Sequence, residues 1–258
     1  MSAGASIKAI LWRDRLIIAG GLAALVALSW LYLADIARSM HGMHMEMSSP
    51  HAHAWGLSGF LSAFAMWSVT MVGMMLPSAS PMILTFSSLE RCRSDARPFA
   101  RTGLFVLGYV IVWTAYSALA AFAQGVFQAA AVLSPMGASM SPYLAGGLLL
   151  VAGAFQLTPL KYACLDRCRT PVGFLMAEWR PGSGGALKMG LRHGAYCAGC
   201  CWALMALMFV LGVMNLLWMA ALAAFMLLEK VVPAGHRVGR VAGVLLIIWG
   251  ASAVASVL

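Results

Sequence analysis

The sequence predicts an all-α membrane protein, a polytopic bundle of about seven transmembrane helices that forms one integral membrane domain over residues 1–258. Hydrophobic residues make up 62% of the chain and charged residues 10%, and the mean hydropathy is +0.87. A soluble globular domain carries about 25% charged residues. The apolar runs also repeatedly approach the ~20 residues that cross ~30 Å of hydrocarbon. The composition therefore argues against a soluble fold.

The apolar runs divide the chain into seven predicted spans. They cover, in order, residues 16–34, 57–76, 102–123, 143–160, 189–210, 216–228 and 241–258. The first span follows a basic segment without a convincing signal-peptide cleavage site, so we expect an uncleaved helix. In the second, Pro77 and Pro81 are expected to break the helix, because a straight helix over residues 57–89 would be ~50 Å long.

Basic and Lys/Arg-poor connections alternate between the spans, and this alternation predicts the topology. The basic connections are residues 90–101, 161–188 and 229–240, whereas residues 124–142 and 212–215 contain no Lys or Arg. Because basic loops stay in the cytoplasm, we expect a cytoplasmic N-terminus and a periplasmic C-terminus in a bacterial inner membrane. This sorting explains the formal charge of +9 without nucleic acid as a partner.

Residues 193–208 carry the densest set of soft metal ligands. The candidates, at steps of four, four, four and three, are His193, Cys197, Cys201, Met205 and Met208, with Cys200 beside Cys201. On a helix these side chains form one lengthwise stripe. Thiolate, thioether and imidazole select soft or borderline metals, notably Cu(I), with Zn(II) as the second choice. The alternative is that the cysteines are small apolar residues at helix contacts.

A second candidate face lies on the second predicted span, where Met71, Met74 and Met75 share one broad side of the helix. In the predicted topology, this face and Cys197 both fall in the cytoplasmic half of the membrane. At this similar depth the two faces could face each other and complete a mixed Cys/Met/His metal site, although the sequence does not determine whether they meet. Ordinary helix packing is the alternative, and methionine alone favours it.

The predicted external loop, residues 38–55, is rich in His and Met. Its candidate ligands are His41, Met43, His44, Met45, Met47, His51 and His53. Such a tract is a compositional signal of metal binding, through Met and His for Cu(I) or through His and carboxylate for Cu(II). A solvated polar loop with chance His content is the alternative.

On the predicted cytoplasmic side, Cys164 and Cys168 are four residues apart and flanked by Arg167 and Arg169. Neighbouring cations favour the thiolate, so both cysteines are candidates for metal relay or thiol exchange. The sequence has no phosphate-binding loop and no nucleophile elbow, which argues against an ATP-driven pump and against a hydrolase. No catalytic residue is predicted.

Three motifs together resemble a known family. They are MVGMMLPS at 71–78, CLDRCRTPVGF at 164–174 and GAYCAGCCWALM at 194–205. The combination is similar to a bacterial family of predicted metal-binding integral membrane proteins, formally a domain of unknown function. The resemblance implies a multi-helix inner-membrane protein with a metal site and carries over no established activity. The His/Met-rich loop is not assigned to this pattern, so its role is inferred from composition alone.

These observations predict a protein that binds a soft transition metal, with copper as Cu(I) first and zinc second. It would act within the lipid bilayer in metal transport, storage or delivery to a metallochaperone or cuproenzyme partner. Two alternatives stay open. One is a membrane thiol-disulfide oxidoreductase in which the cysteines of residues 197–201 cycle with Cys164 and Cys168. The other is a structural subunit of a larger membrane complex.

Overall fold

The computed structural model describes residues 3–43, 56–93, 98–134 and 138–256. Its helices are α1 Ala3–Met43, α2 Leu57–Arg93, α3 Pro98–Ala129, α4 Pro142–Gln156, α5 Pro159–Arg169, α6 Pro171–Glu178, α7 Gly182–Ala206, α8 Met208–Leu211, α9 Leu216–Val231 and α10 Gly235–Ala255. Within these ranges, the only β pairing is one isolated bridge between Leu133 and Ser139. The all-α prediction is confirmed.

Helix α2 is unbroken although it contains Pro77 and Pro81, so the predicted break is wrong. Each proline lacks the N–H that would bond the carbonyl four residues earlier. For Pro77 that carbonyl belongs to Gly73, and it accepts a hydrogen bond from Nε1 of Trp30 at 3.3 Å. For Pro81 it is the Pro77 carbonyl, which accepts from Oγ of Ser80 at 2.7 Å. Because side chains satisfy both freed carbonyls, the helix continues.

The predicted fourth span, residues 143–160, is divided between α4 and α5, which are bent by 66°. Thr158 caps α5 by accepting a hydrogen bond from the backbone N–H of Lys161 at 3.3 Å. Pro159 follows at the first helical position, where its missing N–H is harmless. The expected connection over residues 161–188 is therefore largely helical, since it contains most of α5, all of α6 and the start of α7.

Five helical segments in the described part of the chain are long and apolar enough to cross a bilayer, or six if α4 and α5 form one bent span. The five are Ile10–Ser39, Leu57–Arg93, Phe99–Ala129, Gly182–Leu211 and Gly235–Ala255. Helix α9, which contains the predicted sixth span, has 16 residues, fewer than the ~20 of a typical spanning helix. These helices are compatible with a membrane protein. The count of seven spans and the side of each terminus stay predictions.

Helix α3 packs along both α2 and α7 and so holds these two helices together, while α1 packs on α2 and α4 on α10. The α4–α10 contact depends on glycine. A Cβ on Gly153 would lie 2.7 Å from the carbonyl oxygen of Gly243, and a Cβ on Gly250 would lie 2.9 Å from that of Gly146. Small residues of this kind let helix backbones approach closely.

Candidate metal centre

Helix α7 lies so close to α3 that its cysteines are sealed in the core. A Cβ on Gly190 would overlap the backbone carbonyl of Phe105, so glycine is required at this approach. Further along α7, the side chains of Cys197, Cys200 and Cys201 are at most 1% exposed. The helix continues regularly through this stretch, and all six cysteines of the chain are free thiols.

The methionine face of α2 meets α7 at one pair of sulfur atoms. Sδ of Met75 lies 4.0 Å from Sγ of Cys201. Two sulfurs that each bind one ion at about 2.3 Å lie at most about 4.6 Å apart, so this pair is close enough to share an ion. Met71 and Met74 on α2 and Met205 on α7 are buried in the same core.

Polar groups from two further helices contact Cys197. The hydroxyl of Tyr109 on α3 lies 3.2 Å from its Sγ, and Nζ of Lys230 on α9 lies 3.0 Å from it. Lys230 also donates to Oγ of Ser78 at 2.8 Å, and the Tyr109 hydroxyl lies 3.2 Å from the carbonyl oxygen of Met75. Thiolate is the form in which cysteine binds metal. The ammonium group of Lys230 therefore gives this centre a built-in charge partner.

Helix α5 adds thiols at the edge of the centre. Cys168 is 8% exposed, and its thiol interacts with those of Cys197 and Cys200. We call Cys168, Cys197, Cys200 and Cys201 the thiol cluster. Cys164 is half-buried, and its Sγ lies 3.1 Å from the place that a Cβ of Gly199 would occupy. The thiols of α5 therefore extend from the buried centre toward the surface.

His193 is buried without a polar partner. Its side chain is 2% exposed, and neither ring nitrogen has a hydrogen bond within the described residues. Three aromatic rings surround it, with centroids 6.0 Å away for Phe105, 5.4 Å for Tyr109 and 5.6 Å for Phe174. Buried polar atoms normally have partners, and leaving one without costs about 1–3 kcal/mol. The imidazole therefore keeps a free lone pair for a ligand.

The orientation of Lys230 is fixed by its neighbour Glu229. Glu229 forms a buried ion pair with Lys161, and the two residues are 2% and 0% exposed. Nε2 of Gln156 donates to the same carboxylate at 3.3 Å, and Arg169 donates to the Glu229 carbonyl at 2.8 Å. These contacts anchor α9 to α4 and α5. Lys230 then faces the thiol cluster.

The donors present suit a soft monovalent ion. Across the described ranges, no group of three or more His, Cys, Asp or Glu side chains is arranged to hold a metal ion. A three-donor site here therefore needs a thioether, which Met75 supplies beside Cys201. Thiolate and thioether donors select Cu(I), whereas structural zinc sites take four Cys or His ligands and calcium takes oxygen. The Cys and Met side chains gathered here are of the soft type that copper sites use.

The His/Met-rich loop is largely outside the described residues, and with it His44, Met45, Met47, His51 and His53. His41 and Met43 belong to the last turn of α1. Metal capture by this loop stays a prediction.

Sequence patterns did not identify Tyr109, Ser78 or Lys230 as part of the centre. The charge pattern places Lys230 in the predicted basic connection, residues 229–240, although α9 continues to Val231. One sequence signal does indicate that α9 extends to Lys230. No turn residue separates the apolar run of α9 from Glu229 and Lys230, and the first proline follows only at position 233, so the helix extends through both charges.

A family model described as PpoB2, copper chaperone, matches residues 64–253. The matched range contains Met75, Lys230 and the whole thiol cluster. The comparison with curated proteins and the comparison with solved structures found no match. The family description agrees with the resemblance to metal-binding proteins and supports a copper-related function.

Proposed function

The chain belongs to the PpoB2 copper chaperone family, and on this premise we propose that it binds Cu(I) through Cys197, Cys201 and Met75 and passes the ion to a protein partner. Copper is the cargo in this proposal. The observation that carries it is the 4.0 Å separation between the sulfurs of Met75 and Cys201, in a centre where both side chains are at most 1% exposed. Soft donors in a water-poor site favour the Cu(I) state.

The remaining thiols supply a path for transfer. Cu(I) moves from Cys197 to Cys168 and then to Cys164 by exchange of one ligand at a time. The support is the rise in exposure from the buried cluster to the half-buried Cys164. His193, one turn before Cys197 on α7, is a further donor, and its unpartnered nitrogens support this role.

The proposed setting is the bacterial inner membrane, with the chain as a multi-pass protein. The membrane-length apolar helices support this placement, as do the basic segments between the apolar runs. In this setting the loop of residues 38–55 captures copper on the outer side. The partner that receives the ion is a metallochaperone or a cuproenzyme.

A thiol-disulfide oxidoreductase is the second candidate function. Cys197 and Cys201 lie one turn apart on a regular helix, a position from which side chains are poorly directed for a disulfide. Cys168 comes from α5, which packs against α7, and its thiol interacts with those of Cys197 and Cys200, so this objection does not apply to it. Redox-dependent alkylation of the thiols distinguishes this function from copper binding and from a purely structural role.

Metal analysis of the full chain, purified in detergent, tests the copper proposal. The protein is loaded with Cu(I) under reducing conditions and washed, and its copper and zinc are measured by inductively coupled plasma mass spectrometry. Wild type is compared with a Cys197→Ser, Cys200→Ser, Cys201→Ser variant, a variant lacking residues 40–53, and the control Cys92→Ser, whose thiol is exposed. We expect wild type and the control to retain copper and the triple variant to lose it. Wild type without copper above a membrane-protein control contradicts the proposal.

A further inference from the structure

We propose that Lys230 makes the metal centre selective for monovalent over divalent ions. The inference rests on the proposed function, because it assigns a role toward the ion that Cys197 and Cys201 are proposed to hold. The geometry is a direct contact, since Nζ of Lys230 lies 3.0 Å from Sγ of Cys197. A second hydrogen bond, to Oγ of Ser78 at 2.8 Å, holds the ammonium group in place.

Because the centre is buried, its net charge strongly affects its free energy. Lys230 is 8% exposed, while Cys197 and Cys201 are 0% and 1% exposed. Placing a charge in such surroundings costs several kcal/mol unless an opposite charge accompanies it. A metal-loaded centre whose charges sum to zero is therefore favoured over one with a net charge.

Counting the charges separates the two classes of ion. Thiolates at Cys197 and Cys201 and the ammonium of Lys230 sum to one negative charge. A monovalent ion such as Cu(I) brings the total to zero, because the thioether of Met75 is neutral. A divalent ion leaves one positive charge without a partner.

The other proposed donors do not remove this excess charge, because the thioether of Met75 and the imidazole of His193 bind as neutral groups. A third thiolate would neutralise a divalent ion, but no three Cys, His, Asp or Glu side chains of the described residues are arranged around one ion. The nearby carboxylate of Glu229 is already paired with Lys161. The charge of Lys230 thus determines that a monovalent ion, and not a divalent ion, leaves the centre neutral.

The test compares Cu(I) and Cd(II) affinities of the full chain in detergent, without oxygen and with competing chelators. The variants are Lys230→Met, Lys230→Gln, which keeps a hydrogen-bond donor without the charge, and Lys230→Arg, which keeps the charge. Lys188→Met, at an exposed position, is the control. We expect both neutral variants to lower the ratio of Cu(I) to Cd(II) affinity at least about tenfold. Lys230→Arg and Lys188→Met keep the wild-type ratio.

The outcomes separate this inference from the proposed function. An unchanged ratio in Lys230→Met and Lys230→Gln overturns the role of Lys230, and so does an equal loss of both ions, which marks a merely structural lysine. In either case copper binding by wild type leaves the proposed function standing. A wild-type protein that binds no Cu(I) contradicts the proposed function itself. Size-exclusion chromatography and circular dichroism confirm that each variant is folded.

Discussion

Met75 and Cys201 are 126 positions apart in the chain, and their sulfur atoms are 4.0 Å apart in the folded protein. One lies on α2 and the other on α7, and α3 packs along both helices. Tyr109 of α3 joins them further, since its hydroxyl contacts the Met75 carbonyl and the thiol of Cys197. The position of this sulfur pair is therefore set by the packing of three helices.

Replacing the thioether of Met75 tests its role as a donor. Met75→Leu conserves volume, so its cost in stability stays below about 1.5 kcal/mol. We expect Cu(I) affinity to fall more than about tenfold, because even residues behind the ligands of a metal site typically contribute that much. Chelator competition measures the affinity. The control is Met66→Leu on the same helix, where the methionine is 8% exposed. Equal Cu(I) affinities for the two variants contradict the assignment of Met75 as a donor.

The unpartnered imidazole of His193 predicts a trade between stability and binding. His193→Phe removes two buried polar atoms and keeps a ring among Phe105, Tyr109 and Phe174. We expect the metal-free variant to be more stable than wild type by about 1 kcal/mol, because buried unsatisfied groups cost about 1–3 kcal/mol. Copper transfer to a competing chelator is expected to change at the same time. Chemical unfolding and transfer kinetics are the measurements, and a destabilised variant with normal transfer refutes a ligand role.

The buried pair of Lys161 and Glu229 predicts strong coupling between two substitutions. Glu229→Gln or Lys161→Met alone leaves one buried charge without its partner, at a cost of about 3–5 kcal/mol. We expect the double variant Lys161→Met, Glu229→Gln to recover most of that loss, because neither buried charge is then left unpaired. Unfolding free energies give the coupling through a double-mutant cycle. Breaking the more exposed pair of Arg192 and Glu178 costs less than about 1 kcal/mol.

The contact between Trp30 and the carbonyl of Gly73 predicts coupling with Pro77. Trp30→Phe removes the indole donor and, beyond lost packing, costs about 1 kcal/mol for the hydrogen bond. In a Pro77→Ala background the alanine N–H bonds the same carbonyl, so we expect Trp30→Phe to cost about 0.5–1 kcal/mol less there. Unfolding measurements on the four proteins of the cycle decide this. Equal costs in both backgrounds show that the indole bond does not substitute for the helical one.

Local periodicity was sufficient to predict helix α7 of the centre. It was insufficient to predict the contacts that other helices make around the centre. The four-residue spacing from His193 to Met205 predicts a single ligand-bearing face, and α7 carries these residues as one helix. The continuity of α2 depends on Trp30, which lies 43 positions before Gly73, and no local pattern contains that contact. The same holds for Lys230, whose direction is set by Glu229 and Lys161. Thr158 and Pro159 form a recognisable helix start, so the division of the fourth predicted span was predictable.

The thiols of Cys197, Cys200 and Cys201 are at most 1% exposed, and this has a kinetic consequence. An incoming ligand must touch the ion before the old bond is released, and no partner thiolate can reach a sulfur that the core encloses. For copper held as proposed, the ion leaves these sulfurs either by the relay through Cys168 and Cys164 or after a local opening of the helices, and the faster of the two routes sets how long it stays bound. Molecular oxidants and thiol reagents cannot use that relay and reach the three sulfurs only after such an opening, so burial also protects these thiols from oxidation.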